Sequence, residues 1–417
     1  MATIVLFGGI FCKEDQVLSE LVATTELKVV GDKEVVGEAA KLSGKDESKI
    51  RKAFSAKTSV FNKFTMEKEA ATAYMKLALA NMMNEDSLLV RGYAGLLVPR
   101  AISHVLKICL VADLPYRNQV GIKDLGVSEK EAAKMILNDD VDRAAWVHTL
   151  FEKDDPWDPS LFDMVLSLDK RTPSDAALAI VQNATKPILQ PTQESTRAID
   201  DFRLAAEVET TLFAEGHHVS VSVENGAATL VINRQVMMLK RLEEELKTVA
   251  EKVTGVTSVI TEVGKDFHKS QIYRKHDFKS PSKVLLVDDE SEFAETLSER
   301  LMIRDVGAAV AHDGQSALSV IENDDPEVMI IDLKMPDITG MEILKKVKKT
   351  RPEIEIIVLT GHGSDVDKDV CMNIGAFAYF QKPVEIEALN DVIQKAHEKF
   401  QEKIHTPKKN KCRSLIN

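Results

Sequence analysis

In the last third of the chain, four short apolar runs each stop at or just before residues with chemistry of their own. Lys283-Val284-Leu285-Leu286-Val287 ends at Asp288-Asp289, and Val328-Met329-Ile330-Ile331 ends at Asp332. The run from Ile354 to Leu359 ends at Thr360, and Phe377-Ala378-Tyr379-Phe380 stops just before Lys382-Pro383. Segments of helical period lie between them, such as Met341-Glu342-Ile343-Leu344-Lys345-Lys346-Val347. A strand that is apolar throughout has no face to give to water. Such strands, alternating with amphipathic helices, predict a parallel sheet covered on both sides. Open parallel sheets bind ligands outside the carboxyl ends of their strands. The pattern therefore predicts one mouth lined by Asp288, Asp289, Asp332, Thr360 and Lys382.

The chemistry of that set is specific. Three carboxylates close together repel one another and call for a hard cation. Mg²⁺ takes oxygen ligands and leaves room for water and a phosphoryl oxygen. One carboxylate can then attack phosphorus and form an aspartyl-phosphate. The Thr360 hydroxyl and the Lys382 ammonium would neutralise phosphoryl oxygens. A single strand-end Asp is an ordinary cap or turn residue; five residues of these types, closing successive strands in order, are a site. Residues 282–402 resemble the receiver domain of bacterial two-component response regulators. The resemblance implies a flavodoxin-like (βα)5 fold in which Asp332 accepts a phosphoryl group from a histidine kinase. It implies Mg²⁺ bound directly by Asp289, Asp332 and the backbone carbonyl of Lys334, with Asp288 acting through water. Thr360 and Tyr379 would form a switch pair, and Lys382-Pro383 would carry a cis peptide bond. Output would pass to the upstream blocks or to a downstream protein docking around Tyr379, and the receiver could serve as a homodimer contact.

The first block also alternates strands and helices. Ile4-Val5-Leu6-Phe7-Gly8-Gly9 reads as a strand and a glycine turn, followed by a helix from about Glu14 to Ala23. Phosphate-binding loops occupy that place. The full signature needs GxxxxGK followed by Ser or Thr. Here Cys12 precedes Lys13, and Glu14 stands where the hydroxyl should be. Glu14 and Asp15 suit the start of a helix but repel a triphosphate. Farther on, Gly31 to Ala40 opens a helix, and Ser87 to Ala94 and Val105 to Val111 read as strands. Asp139, Asp140, Asp142 and Arg143 fall within a helix, and Asp163 to Leu168 reads as a late strand. The order is α/β with a parallel sheet. These segments are similar to the cytidylate-kinase-like family of nucleoside monophosphate kinases over residues 1–182, with a P-loop-kinase-like fold. The similarity implies phosphates near Gly8, Gly9 and Lys13, and a monophosphate near Asp32 and its neighbours Lys33 and Glu34. It also implies that Arg91 faces the nucleotide and that Arg117 and Arg143 lie around the phosphates or lid. ATP and CMP are the implied ligands. The departures at Cys12 and Glu14 point to a fold that has lost the reaction; an active monophosphate kinase regulated by the receiver is the alternative reading.

Between these blocks, Ile199, Phe202, Ala205, Val208 and Leu212 recur at helical spacing. Val219, Val221 and Val223 alternate with polar residues, and Asn225-Gly226 separates them from Ala228 to Ile232. Asn-Gly between such runs signals a hairpin. A helix from Val236 to Val253 and a strand from Gly255 to Ile260 complete a small αββαβ, α+β block. It resembles the BON domain in this hairpin and in Thr254-Gly255-Val256-Thr257-Ser258-Val259. Without a catalytic constellation, it reads as a structural or interaction module.

At roughly 100–200 residues per domain, the chain's 417 residues allow two to four domains. The predicted divisions are 1–185, 195–264 and 282–402. Linkers fall at Ala184 to Gln193, with Pro187 and Pro191, and at Gly264 to Ser282. With 54 Lys+Arg against 66 Asp+Glu, the net charge of −12 argues against a protein whose main work is coating nucleic acid. Lys408, Lys409, Lys411 and Arg413 read as a solvated end. No apolar run nears the ~18 residues of a membrane span, and no basic region precedes the first apolar stretch as in a signal peptide. The four cysteines show no CxxC spacing, which fits a reducing cytoplasm.

Overall fold

The computed structural model describes residues 1–83, 88–236, 238–268, 283–361 and 364–405. The chain forms two compact units. One comprises Met1–Thr58 and Glu67–Lys275, the other Ser59–Met66 and His276–Asn417.

The first unit begins with β1 (Thr3–Gly8), α1 (Glu14–Thr24), β2 (Lys28–Gly31), α2 (Asp32–Ser43) and α3 (Glu47–Arg51). The one-turn helix α4 (Asn62–Thr65) falls in the Ser59–Met66 stretch of the second unit. The first unit resumes with α5 (Glu67–Met83), β3 (Leu88–Arg91), β4 (Val105–Val111), α6 (Leu114–Leu125), α7 (Glu129–Phe151), β5 (Met164–Ser167) and α8 (Pro173–Ala184). The five strands are parallel in the order β2-β3-β1-β4-β5. All six residues of β1 are buried, as a central parallel strand requires. Ile4 and Leu6 enter the core with Val17, Leu21 and Ile180, while Val5 and Phe7 enter the opposite core with Val36, Met75 and Leu79. The chain leaves β1 toward β3 and later adds β4 on the other side. The carboxyl ends of β1 and β4 therefore form the crevice where such sheets bind ligands.

The same unit continues with α9 (Gln193–Ala214), β6 (Ser220–Glu224), β7 (Ala227–Ile232), α10 (Leu239–Ala250) and β8 (Ser258–Val263), an αββαβ order. β6 and β7 pair antiparallel and β7 and β8 parallel. Asn225 (φ 51°) and Gly226 (φ 80°) both adopt the left-handed conformation that a two-residue type I′ turn needs. Leu230, Ile232, Leu212, Leu242 and Leu246 fill its core. At its other end, α9 places Ile199 and Phe202 in the core of the kinase-like sheet, and Glu209 pairs with Lys76 of α5 at 2.9 Å. The Pro-containing segment ahead of α9 is a short helical turn, Pro187–Leu189, followed by the capping residue Thr192.

The second unit contains β9 (Val284–Val287), α11 (Ser291–Met302), β10 (Ala308–Ala311), α12 (Gly314–Asn323), β11 (Val328–Ile331), α13 (Gly340–Thr350), β12 (Glu355–Thr360), α14 (Asp365–Ile374), β13 (Ala378–Gln381) and α15 (Ile386–His405). Its parallel order β10-β9-β11-β12-β13 is the flavodoxin-like one. Leu285, Val287, Met329 and Ile331 face one side of the sheet; Val284, Leu286, Val328 and Ile330 face the other. Phe61 is fully buried in the first of these clusters. The basic residues of the C-terminal tail, Cys412 and residues 269–282 lie outside the described residues. Among the described residues, no helix is long and apolar enough to cross a membrane.

Candidate functional site

β9 and β11 are adjacent, and Val287 is in register with Ile331. The residues that follow, Asp288 and Asp332, therefore leave the sheet side by side. Oxygens of Asp288, Asp289 and Asp332 lie within 4.8 Å of one another; Asp289 is exposed and the other two are buried. Lys382, one residue past β13, reaches this cluster. Its ammonium donates to Asp288 at 2.7 Å, to Asp332 Oδ2 at 3.0 Å and to Glu290 at 3.0 Å, and lies 4.2 Å from the centre of the Phe293 ring. The Lys382 amide donates to the carbonyl of Thr360, the buried last residue of β12. The Lys382–Pro383 bond is cis. The Lys334 amide donates to Asp332 Oδ1 at 3.1 Å.

Three carboxylates, those of Asp288, Glu290 and Asp332, therefore hold one ammonium, with Asp289 beside them. Burial pushes the pKa of Asp288 above the usual carboxylate range, although Lys382 pulls the other way. Burial acts to lower the pKa of Lys382, but its hydrogen bonds to Asp288, Asp332 and Glu290 prevail and hold it above the ordinary lysine value. Tyr379, on β13, packs its half-buried ring against the cluster that contains Leu333, Met335 and Cys371. Its hydroxyl is buried without a hydrogen-bond partner among the described residues. Burial raises its pKa, and Asp367 adds to the effect. Glu290 and Phe293 do not stand out in the sequence; the only hint for Glu290 is that it directly follows Asp288-Asp289.

At the carboxyl end of β1 the arrangement differs. Arg117 donates to both Asp140 oxygens, at 2.9 and 2.7 Å, and to the Ile10 carbonyl at 2.9 Å. Its guanidinium lies so near Gly9 that a side-chain carbon there would be 2.7 Å from it. The Ile10 amide is taken by Asp139 at 3.2 Å. Arg143 is buried, donates to Asp139 at 2.7 Å, and lies against the rings of Tyr93 and Phe7, 4.6 and 4.9 Å from their centres. Arg91 pairs with Glu14 at 3.0 Å and Asp15 at 2.7 Å. Asp32 accepts the amides of Tyr93 and Ala94, at 3.0 and 2.8 Å. Lys13, left-handed at φ 56°, extends over the Tyr116 ring. The residues predicted to face a nucleotide thus cluster here, with each arginine held by carboxylates of the chain itself. Burial raises the pKa of Glu14, against the pull of Arg91.

Residues 284–394 match the response regulator receiver domain, and residues 12–170 match the cytidylate kinase-like family. Transcriptional regulatory protein TrcR of Mycobacterium tuberculosis is 34% identical over 110 residues, 26% of this chain and 43% of that protein. Response regulator MprA of Mycobacterium avium is 32% identical over 107 residues, 26% of this chain and 47% of that protein. The chain thus spans less than half the length of these relatives. A solved response regulator receiver domain protein from Clostridium thermocellum is 34% identical, covering 29% of this chain and 96% of that chain with a TM-score of 0.27. The C-terminal unit carries a response regulator receiver domain, and the parallel sheet that precedes it fits a kinase-like domain.

Proposed function

We propose that this chain is the response regulator of a two-component system and that Asp332 is its phosphoacceptor. One observation carries the reading: Asp288, Asp289 and Asp332 converge within 4.8 Å of one another, and Lys382 reaches into the same cluster. An Asp332 oxygen attacks the phosphorus of a histidine kinase's phosphohistidine. The O–P bond forms, the P–N bond breaks, and its electron pair leaves with the imidazole. Asp289, Asp332 and the Lys334 carbonyl, with Asp288 through water, suit the hard oxygen coordination of Mg²⁺. When bound, Mg²⁺ neutralises charge on the phosphoryl group. Lys382 turns from the Asp332 carboxylate to the phosphoryl oxygens, and the Thr360 hydroxyl donates to another. That draws Thr360 away from the sheet core and lets Tyr379 follow.

The three modules, 1–185, 195–264 and 282–402, work in the cytoplasm, with the BON-like middle block as an interaction module and the receiver as a homodimer contact. The kinase-like block serves as a scaffold rather than an enzyme, because Arg91, Arg117 and Arg143 are already engaged by Glu14, Asp15, Asp140 and Asp139. Incubation with radiolabelled acetyl phosphate and Mg²⁺ tests the phosphoacceptor. Wild type takes up label and Asp332→Asn does not; undiminished labelling of the variant refutes the assignment.

A further inference from the structure

The compact unit that contains the receiver includes eight residues from far upstream, Ser59–Met66. They form a preshaped turn. The Asn62 amide bonds the Ser59 carbonyl at 3.0 Å, the Phe64 amide bonds the Phe61 carbonyl at 2.8 Å, and the Met66 amide closes the turn on the Asn62 carbonyl at 2.8 Å. Phe61 has no exposed surface. It shares an apolar cluster with Leu333 and Met335, one and three residues past the candidate phosphoacceptor, and with Tyr379 and Cys371. An aromatic side chain buried this completely is a strong anchor.

On either side, the chain returns to the kinase-like sheet. The Ala56 amide donates to Asp142 at 2.7 Å, and Lys68 donates to the Ser55 carbonyl at 3.3 Å, so both stems are pinned. Just before them, Phe54 stacks on Tyr93 and meets Trp146 edge-on, each with ring centres 5.0 Å apart. Tyr93 in turn lies against Arg143, and its amide is held by Asp32.

We propose that Ser59–Met66, anchored by Phe61, is a built-in output element of the receiver. This inference rests on Asp332 being the phosphoacceptor. Phosphorylation adds about −1.5 to −2 charges beside the Leu333–Met335 loop. Close-packed interiors answer such a change by repacking rather than by smooth deformation. The hold on Phe61 changes, and the six residues between it and Phe54 carry the change to the rings around Asp32 and Arg143. Coupling of this kind is reciprocal, so whatever binds the kinase-like block also alters how long the phosphoryl group stays on Asp332.

Hydrogen exchange by mass spectrometry on the full chain, with acetyl phosphate and Mg²⁺, tests this. Label on Asp332 is measured in the same samples. The expected result is a change of about fivefold or more in amide exchange across 59–66 when Asp332 is labelled, the lower end of ordinary coupling between sites, with no change in Asp332→Asn. Labelled Asp332 with unchanged exchange across 59–66 overturns the inference while leaving the phosphoacceptor standing. Absence of label refutes both. Phe61→Ala is expected to label normally but to lose the response at residues 52–54, whereas Phe61→Leu, which keeps an apolar anchor, retains it in weaker form. A response at 52–54 that survives in Phe61→Ala overturns the proposed route.

Discussion

The two parallel sheets of this chain end in mouths of opposite character. At the kinase-like mouth, Arg117 is clamped by Asp140, Arg143 by Asp139, and Arg91 by Glu14 and Asp15. Each of these three guanidiniums already holds a carboxylate, in geometry close to what a phosphate would use. At the receiver mouth, Asp288, Glu290 and Asp332 share the ammonium of Lys382, and Asp289 beside them is exposed. That mouth has an excess of acceptors and welcomes a cation. The fold supplies a rim in both cases; what the rim can bind depends on whether its charges are already matched.

The largest effect that would sharpen this contrast is at Lys382. Lys382→Ala removes the ammonium that reaches Asp332. Its labelling rate by acetyl phosphate should fall about 10²–10³-fold, the usual loss when one such donor is removed. A variant that labels at the wild-type rate would break the assignment of Lys382. A smaller effect is expected at Asp140. Asp140→Asn leaves the buried Arg117 with a weaker acceptor, so the first unit should lose about 1.5–3 kcal/mol in denaturant unfolding. The same preparations serve for calorimetry. Wild type should show no heat with ATP and Mg²⁺ or with CMP, and clear binding by wild type would end the scaffold reading. The smallest effect is expected at Asp288. Its buried carboxylate is disfavoured in the charged form, so Asp288→Asn in EDTA should raise the receiver's thermal midpoint slightly, by at most about 1 kcal/mol of stability. Adding Mg²⁺ should then stabilise wild type more than the variant.

The receiver was legible because its strands are apolar throughout and stop where its chemistry begins. Asp288, Asp332, Thr360 and Lys382 could be located by counting to the end of each run. The Asn225-Gly226 turn was legible for a similar reason: few dipeptides tolerate two positive φ angles. Pairings between distant segments were hidden. Arg143 and Asp139 are one helical turn apart, a spacing visible in sequence, but the bond from Arg117 to Asp140 depends on how α6 and α7 cross. The burial of Phe61 had no local signal at all. Ser-Ala-Lys-Thr-Ser-Val-Phe-Asn-Lys-Phe-Thr-Met has neither a helical nor a strand period, and the cluster that buries Phe61 begins at Leu285, 224 residues away. The same limit applied to α9: its period was plain, but the two cores it serves were not.

The central claim is that this chain takes up phosphoryl groups at one mouth and not at the other. Mapping the labelled residue in the full chain, after exposure to radiolabelled acetyl phosphate or ATP with Mg²⁺, tests it most directly. The account predicts Mg²⁺-dependent label from acetyl phosphate on Asp332 alone, and none from ATP. Label on any other residue, or label from ATP at the kinase-like end, would contradict it.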